Sequence, residues 1–429
     1  MALGPGGEIF VLFANAAPCA GFGECTIEWS LARFSPDGVR DSAFGSGPGS
    51  ALAVHGSEYE PADLAVGPDG RPVVAAFDEG RVVLARFDRG GHLEAMLGAG
   101  EASALLGYGY RPPLLAVQGD GKVVVAVGSF EELSIVRYLP NGERDPGFGA
   151  GGETRVAMGM QSHPAELLLR ADGRIALAIS RCCGGSPLSG EGVGFVQLLA
   201  NGQPDPALNG SGQVLLPTPG ARGNVEAAAL ASDNGAYIVF EMDMETVATT
   251  GHVVKLRPDG AVDTAFARDG FSRIPMPGVD DLVIDGKGRL VASGWNGGAA
   301  VLRTRPGGGA DRTFGGGAPV PLKSSGPAGV VALQAKGKIV ALGEPCCGPK
   351  GASLYRLTGG TDHTRCLGRK ATFVGTNGRD EITGTPRRDV IAALGGRDEV
   401  LGLGGRDVIC GGKGKDDLFG GPGRDEVKP

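Results

Sequence analysis

The sequence predicts an all-β protein, and three observations carry that prediction. Glycine accounts for 78 of the 429 residues, whereas an ordinary protein has about 7% glycine. Short runs rich in β-branched residues, such as "VVVAV", "RIALAIS" and "AYIVF", alternate with glycine-containing turn sequences. Two internal repeats, one of about 50 residues and one of nine, cover most of the chain. The glycines follow no G-X-Y period, so they indicate many tight turns and not a collagen helix.

The longer repeat begins with two apolar strands joined by a turn that contains glycine, as in "LAVGPDGRPVVAAF" and "LLLRADGRIALAIS". Most copies continue with a second half, as in "LARFSPDGVRDSAFG" and "VVKLRPDGAVDTAFA", and then a short last strand. D-G and N-G turns join antiparallel neighbours because their twist matches that of the strands. The turn glycines of the copies are Gly7, Gly70, Gly121, Gly173, Gly235, Gly288 and Gly337.

A sheet of four such strands cannot bury both of its faces by itself. Radial stacking of the sheets buries both faces and leaves only short edges. We therefore expect residues 1–362 to form a seven-bladed β-propeller, with a linear β-solenoid or a pair of sandwiches as the alternative. The seventh copy stops at "LYRLTGG" without the second half. Either residues 372–374 or residues preceding Met1 would have to complete the last blade.

The pattern L-x-R-x-x-x-D-G-x-x-D-x-x-F-G, which these second halves follow, resembles the bacterial delta-60 repeat proteins. The resemblance spans roughly residues 2–360. It implies a β-propeller fold, and it implies no particular activity because that family has no single chemistry.

The shorter repeat divides the chain from Gly375 into six nonapeptides without an insertion: "GTNGRDEIT", "GTPRRDVIA", "ALGGRDEVL", "GLGGRDVIC", "GGKGKDDLF" and "GGPGRDEVK". Position six is always aspartate: Asp380, Asp389, Asp398, Asp407, Asp416 and Asp425. Position eight is always aliphatic: Ile382, Ile391, Val400, Ile409, Leu418 and Val427. Six residues for a turn and three for a short strand predict a flattened coil of two nonapeptides, with position eight inside.

Aspartates of alternate nonapeptides would then stack about 4.8 Å apart on one edge. Like charges at that distance repel each other unless a cation lies between them. Carboxylate and backbone carbonyl oxygens are the ligands that Ca²⁺ prefers, and glycines allow the carbonyls to turn toward it. A metal-free, low-complexity linker is the alternative.

The nonapeptides resemble the hemolysin-type (RTX) calcium-binding repeat, G-G-x-G-x-D-x-U-x. The resemblance implies a small parallel β-roll, here within residues 363–429, with Ca²⁺ as cofactor. It implies one edge with Asp380, Asp398 and Asp416 and another with Asp389, Asp407 and Asp425. Calcium beside Asp389 is the least expected, because Pro386 and Arg387 replace flexible positions.

Eight cysteines form four groups: Cys19 with Cys25, Cys182 with Cys183, Cys346 with Cys347, and Cys366 with Cys410. None has C-x-x-C spacing and adjacent cysteines seldom serve one zinc ion, so the pattern favours disulfides in an oxidising compartment. About two and a half coils separate the last two, or roughly 12 Å of roll. Their Cα atoms must lie within about 7 Å to pair. The segment after Cys366 would therefore have to fold back as a cap.

Charge and composition restrict the function. The formal net charge is −7. The sequence has no basic stripe with interleaved aromatic residues, which argues against nucleic-acid binding. No apolar run reaches the roughly 18 residues of a membrane helix. The N-terminus lacks the basic start of a signal peptide, and a degenerate signal peptide is the alternative. Motifs G-x-S-x-G, H-E-x-x-H and the P-loop are absent from the sequence.

Two functional hypotheses remain. The favoured one is a non-catalytic secreted, extracellular or cell-surface protein. Its propeller would recognise or adhere to an extracellular protein or polysaccharide, and its roll would be a calcium-dependent stabiliser. The other is an exported propeller hydrolase or lyase that acts on glycans or lactones. Acidic or histidine side chains that converge from several blades would favour the enzyme.

Overall fold

The computed structural model describes residues 1–16, 25–46, 51–56, 62–78, 81–98, 113–128, 132–157, 162–181, 192–217, 224–241, 251–267, 269–322, 324, 326, 328–343, 353–357, 365–375 and 379–429. Within these residues the chain forms β-strands, turns and two short 3-10 segments, Gly315–Gly317 and Ala335–Gly337. None of the described segments is a helix with the length and hydropathy needed to span a bilayer. The predicted disulfide candidates Cys19, Cys182, Cys183, Cys346 and Cys347 lie outside the described residues.

Six sheets in the described part of the chain have four strands each, hydrogen-bonded in chain order. Sheet 1 contains β1 (Ala2–Leu3), β2 (Ile9–Ala16), β3 (Cys25–Phe34) and β4 (Ala51–Gly56). Sheet 2 contains β5 (Asp63–Val66), β6 (Pro72–Asp78), β7 (Arg81–Phe87) and β8 (Leu93–Met96). Sheet 3 contains β9 (Leu114–Val117), β10 (Val123–Gly128), β11 (Glu132–Tyr138) and β12 (Glu153–Ala157).

The remaining three follow the same order. Sheet 4 contains β13 (Ser162–Leu169), β14 (Ile175–Arg181), β15 (Gly192–Leu198) and β16 (Gln213–Pro217). Sheet 5 contains β17 (Asn224–Leu230), β18 (Ala236–Glu241), β19 (Gly251–Leu256) and β20 (Phe271–Ile274). Sheet 6 contains β21 (Gly278–Ile284), β22 (Leu290–Trp295), β23 (Ala299–Arg303) and β24 (Val320–Pro321). Sheets of this kind, each a meander of short strands, are the blades of a β-propeller.

The number of blades differs from the prediction: the described residues form six four-stranded blades, not seven. The seventh repeat contributes three antiparallel strands, β25 (Ala328–Gln334), β26 (Lys338–Gly343) and β27 (Ser353–Leu357). Its sequence lacks the second half of the repeat, and the described residues contain no fourth strand from the repeat itself. Instead β30 (Phe373–Val374) pairs antiparallel with β27 through Leu357 and Phe373, and the sheet continues to seven strands. Of the two alternatives for completing the last blade, the structure thus uses Phe373–Val374.

Backbone contacts divide the chain into two compact units. The first consists of Met1–Ser35, Arg40–Val225 and Pro258–Ala261. The second consists of Pro36–Val39, Glu226–Arg257 and Val262–Pro429, so the nonapeptides belong to the same unit as the seventh repeat.

The continuous apolar runs of the second strands fill two cores at once. In β10, Val123, Val125 and Val127 pack in a buried cluster with residues of sheet 2. Val124 and Ala126 point to the other face and pack in a cluster with residues of sheet 4. Because successive side chains of a strand alternate between faces, a strand buried on both sides reads as an unbroken apolar run.

The repeated turns need left-handed backbone at one position, and this explains the glycines at fixed spacing. Gly7, Gly70 and Gly121 have φ of 83°, 79° and 83°. The fifth repeat departs from the prediction, because Asn234 has φ 65° and supplies this position in place of Gly235. Asparagine tolerates this region better than other residues with a Cβ atom. Gly235 is required for a different reason: a Cβ atom there would lie 2.2 Å from the carbonyl oxygen of Leu256.

A cation on the third strand pairs with the aspartate eight residues later in the repeat's second half. Arg137 donates to Asp145 at 2.8 Å, and its guanidinium lies 4.5 Å from the centroid of the Phe148 ring. Arg303, Asp311 and Phe314 repeat the arrangement at 2.8 and 4.8 Å. The recurring R…D-x-x-F pattern is therefore a stacked ion pair that fixes the turn to its own sheet.

This ion pair generates a prediction for stability. Arg303 is fully buried, so Asp311→Ala would leave a buried guanidinium without its main partner. We expect a loss of about 3–5 kcal/mol in the free energy of unfolding, as for other broken buried pairs. Urea unfolding followed by circular dichroism would measure it.

The matched control is Asp41→Ala, because Arg33 and Asp41 form the same pair at 2.6 Å with side chains that are 28% and 34% exposed. We expect a clearly smaller loss there, since solvent replaces the partner. Equal losses for the two variants would contradict the prediction.

Candidate calcium site

The nonapeptides form parallel strands that repeat every 18 residues. One sheet contains β31 (Glu381–Thr383), β34 (Glu399–Leu401) and β37 (Asp417–Phe419). The other continues from β30 to β32 (Val390–Ala392), β35 (Val408–Cys410) and β38 (Glu426–Lys428). Ile382 pairs with Val400 and Ile391 with Ile409, an offset of 18 residues in each sheet. We call residues 373–428 the roll.

The apolar side chains at position eight fill the interior of the roll. Ile391, Val400 and Ile409 come from both sheets and are fully buried in one cluster, with Ile382 and Leu418 packed against it. The cluster also contains Val331 and Tyr355 of the seventh repeat. The roll and the last propeller repeat thus share one hydrophobic core.

A disulfide joins the roll to the segment that precedes it. Cys366 and Cys410 are bonded, with Cα atoms 5.6 Å apart. The segment after Cys366 forms a hairpin of β28 (Arg365–Cys366) and β29 (Arg369–Lys370), which is the fold-back that the spacing of these cysteines requires. Cys366, Ala371 and Val374 are buried against Val390 and Val408. The hairpin therefore caps the roll at its first coil.

The aspartates at position six are linked along two edges through the backbone. Oδ1 of each of the last four accepts from the amide of the aspartate 18 residues earlier. On one edge the pairs are Asp380 to Asp398 at 2.9 Å and Asp398 to Asp416 at 3.0 Å. On the other they are Asp389 to Asp407 at 2.8 Å and Asp407 to Asp425 at 2.9 Å. The structure thus brings the predicted residues together in two rows of three.

The second oxygen of two aspartates has no such partner. Asp398 and Asp407 are 1% and 0% exposed, and the Oδ2 atom of each is buried without a hydrogen bond. A buried carboxylate oxygen without a donor costs several kcal/mol unless a cation compensates it. Each atom is therefore a natural ligand for a metal ion.

Burial dominates the electrostatics of these rows. Burial raises the pKa of Asp398 to about 6, the amide of Asp380 opposes the shift, and the charges of Asp380 and Asp416 add to it. Burial likewise raises the pKa of Asp389 to about 6, against hydrogen bonds from Thr385. The pKa of Asp407 is also raised, by burial and by the charge of Asp425.

The turns between the strands have an unusual backbone at positions two and four. At position four, Gly396, Gly405 and Gly414 have φ of 137°, 124° and 138°. A Cβ atom at Gly414 would lie 1.6 Å from the carbonyl oxygen of Gly396, so the stacked turns admit only glycine here. At position two, Leu394 and Leu403 adopt φ of 78° and 70°, a strained region for such side chains. Sequence reasoning missed these two leucines, because the consensus glycine is absent there.

This donor set fits calcium. In the described residues no three His, Cys, Asp or Glu side chains converge on one point, so an ion would draw its remaining ligands from backbone carbonyls. Calcium takes six to eight oxygen ligands, including carbonyls, in flexible geometry. In the turns of Asp398 and Asp407, positions two and four have positive φ, so the carbonyls of these turns are candidates for the remaining ligands.

Carboxylates on the inner strands of the propeller have another role. Asp63 of β5 accepts from the amides of Leu64 at 2.7 Å and of Leu115, on the next sheet, at 2.8 Å. Asp281 of β21 accepts in the same way from Leu282 and from Val331 of the next sheet. These carboxylates join the inner strands of consecutive sheets. Their observed bonds are structural, and they do not favour the enzyme hypothesis.

Comparisons with known proteins agree with the two kinds of repeat. Residues 118–148 match the domain of unknown function (DUF5122) beta-propeller, and residues 374–409 and 395–427 match the RTX calcium-binding nonapeptide repeat (4 copies). The propeller family that matches is described as DUF5122. The predicted membership of the delta-60 repeat proteins is not confirmed. No curated protein matches the chain significantly. Calcium is therefore the cofactor of the nonapeptide repeats.

Solved structures similar to the chain have low sequence identity to it. A protein from Lactobacillus plantarum has 13% identity and a TM-score of 0.47 over 81% of this chain and 92% of that chain. Drosophila Semaphorin 2a has 8% identity and a TM-score of 0.46 over 86% and 77%. A putative gluconolactonase has 15% identity and a TM-score of 0.37 over 67% and 86%. Likenesses at this level concern the fold alone.

The raised pKa values generate a prediction for pH dependence. At pH 5 a carboxyl with a pKa of about 6, such as Asp398, is mostly protonated, and calcium must displace the proton. We expect the apparent calcium affinity to fall about tenfold from pH 7 to pH 5 for each such carboxyl used. Calorimetric titration in two buffers of different ionisation enthalpy would show the affinity change and the proton release.

In EDTA, the stability of the roll changes with pH in the opposite direction to the calcium affinity. A carboxyl whose pKa is raised by folding to about 6, as for Asp398, contributes stability at low pH, and this stability is lost as the pH rises through about 6. The metal-free roll should therefore be more resistant to urea at pH 5 than at pH 7. Equal calcium affinity at both pH values, without proton release, would contradict this account.

Proposed function

We propose that the protein is an exported calcium-binding protein, in which the propeller is a recognition or adhesion platform and the roll is a calcium-dependent folding and stabilising module. The observation that carries this proposal is the pair of buried carboxylate oxygens on Asp398 and Asp407 that lack a hydrogen-bond donor. They lie in nonapeptides that match a calcium-binding repeat. A cation supplies the missing interaction, so the ion is part of the folded structure of the roll.

The ligands in this proposal are five of the six aspartates in the two rows. Asp380, Asp398 and Asp416 provide carboxylates on one edge, and Asp407 and Asp425 do so on the other. Asp389 completes the second row, but its Oδ2 atom already accepts two hydrogen bonds. Backbone carbonyls of the glycine-containing turns complete the coordination. Calcium suits this set better than Mg²⁺, which demands a tighter octahedron and retains its waters.

An extracellular or cell-surface location follows from the same features. Extracellular calcium modules work at millimolar calcium, a concentration found outside cells. The Cys366–Cys410 disulfide forms and persists in an oxidising compartment. We propose residues 1–362 as the recognition domain and residues 363–429 as the calcium domain. The partner that we propose is an extracellular protein or polysaccharide.

The two rows provide a test with a matched pair of variants. Asp398→Ala should raise the calcium concentration needed to protect the roll from proteolysis much more than Asp425→Ala does. Asp398 is buried between Asp380 and Asp416, whereas Asp425 is partly exposed in the last turn. Limited proteolysis of the full chain across a calcium series would measure both midpoints.

The recognition role has its own test. The full chain, immobilised in calcium, should retain envelope polysaccharides or secreted proteins, and EDTA should release them. A double variant, Asp398→Ala with Asp407→Ala, is the control for binding that depends on the roll. The same ligands retained equally in EDTA and by the double variant would show that recognition does not depend on calcium, and the linkage between the two domains would fail.

If Asp425→Ala raises the calcium midpoint of protection more than Asp398→Ala does, the buried carboxylates are not the main calcium ligands. Wild-type protein that binds no calcium at all would overturn the proposed function itself.

A further inference from the structure

One turn of the roll differs from the others in how its aspartate is satisfied. Oδ2 of Asp389 accepts a hydrogen bond from the amide of Thr385 at 2.5 Å and another from its hydroxyl at 2.9 Å. Both residues are 3% exposed. In the turns of Asp398 and Asp407 the same atom is buried and has no hydrogen-bond partner. Thr385 thus provides to Asp389 the positive partial charges that these two turns lack.

The backbone of this turn differs as well. Position two has positive φ in each of the last four nonapeptides, at Leu394, Leu403, Gly412 and Gly421. Neither Thr385 at position two nor Arg387 at position four has positive φ. The amide of Arg387 instead donates to the hydroxyl of Thr385 at 3.2 Å, which closes the turn on itself. Its carbonyls are therefore not arranged like those of the later turns.

Proline at position three is not the cause of the difference at position two. Pro422 occupies the same position in the last nonapeptide, and the preceding Gly421 still has φ 89°. Gly423, at position four of the last nonapeptide, has no positive φ either, so the distinguishing residue is Thr385, where the last nonapeptide has Gly421.

We infer that the turn of residues 384–389 holds no calcium ion, because Thr385 replaces the cation for Asp389. This inference rests on the proposed calcium-binding function. We call residues 365–375 with 381–392 the base, which is then held without calcium, and residues 411–428 the tip of the roll, which depends on calcium.

The packing of the two ends supports this division. The base is tied to the propeller by the pair Leu357 and Phe373 and to the second coil by the disulfide from Cys366. In the tip, Phe419 and Val427 are 55% and 41% exposed, so little apolar surface is buried. Strand pairing and the carboxylate turns are what hold the tip. Loss of the ions should therefore release the tip and leave the base folded.

Ion counting on the full chain tests the inference with variants of equal burial. Asp389→Asn should leave the number of bound calcium ions unchanged, whereas Asp407→Asn should lower it by about one per chain. Thr385→Gly together with Arg387→Gly should raise it by about one, since these changes restore the glycine positions of the calcium turns. Metal analysis after dialysis against buffered calcium would give the counts.

Hydrogen exchange measured by mass spectrometry provides a second readout. In EDTA, peptides from residues 411–428 should exchange rapidly, while those from residues 379–392 keep their protection; calcium should protect both. Unchanged protection in the sheet 6 peptides shows that a variant is folded.

Three results would overturn the inference: a loss of calcium in Asp389→Asn equal to that in Asp407→Asn, no gain in the double glycine variant, or loss of protection in base and tip together in EDTA. Failure of the proposed function looks different, because the wild-type chain would then bind no calcium.

Discussion

The pairing of Leu357 with Phe373 is the contact on which the architecture of the second half depends. The seventh repeat ends without a strand to follow β27, and an uncovered β27 would be an open edge prone to association. β30 covers that edge and at the same time begins the parallel stack of β32, β35 and β38. One backbone pairing therefore completes a propeller sheet and starts the roll. The shared cluster that includes Val331, Tyr355 and Ile409 gives both parts a common core.

This continuity places demands on the roll that glycine and aspartate meet together. Parallel strands at an offset of 18 residues bring equivalent turn atoms into direct contact, as the approach of Gly414 to the carbonyl of Gly396 shows. The same offset stacks the aspartates, because each one bonds the amide of its predecessor through Oδ1. Backbone stacking thus forces like charges into rows. Calcium does not create the arrangement of the carboxylates; it compensates a repulsion that the strand geometry imposes.

Much of this was accessible from sequence, because both repeats express backbone requirements at fixed intervals. The all-β class, the meander units, the inward position eight and the two rows of aspartates all follow from periodicity. The blade count did not, since a missing half-repeat does not reveal which strand replaces it. Asn234 in place of Gly235, and left-handed Leu394 and Leu403, escape notice because a consensus glycine was assumed to mark the position. The role of Thr385 could not be predicted, because it depends on the distance from a hydroxyl to one carboxylate oxygen.

The ion-paired aspartates of the propeller and the aspartates of the roll are balanced in opposite ways, and the contrast identifies what the roll lacks. Burial alone would raise the pKa of Asp145, but the amide of Gly147 and the cations Lys122 and Arg137 outweigh it and lower the pKa. For Asp311, bonds from Thr313 and the guanidinium of Arg303 likewise overcome burial. Asp398 is buried as deeply, yet its pKa is raised, because only an amide opposes burial and its charged neighbours are carboxylates. At Asp145 and Asp311 the propeller carries its counter-charges within the repeat. In the roll, Arg397 directly precedes Asp398, yet no cation is among the groups that oppose its burial, so its counter-charge has to come from solution.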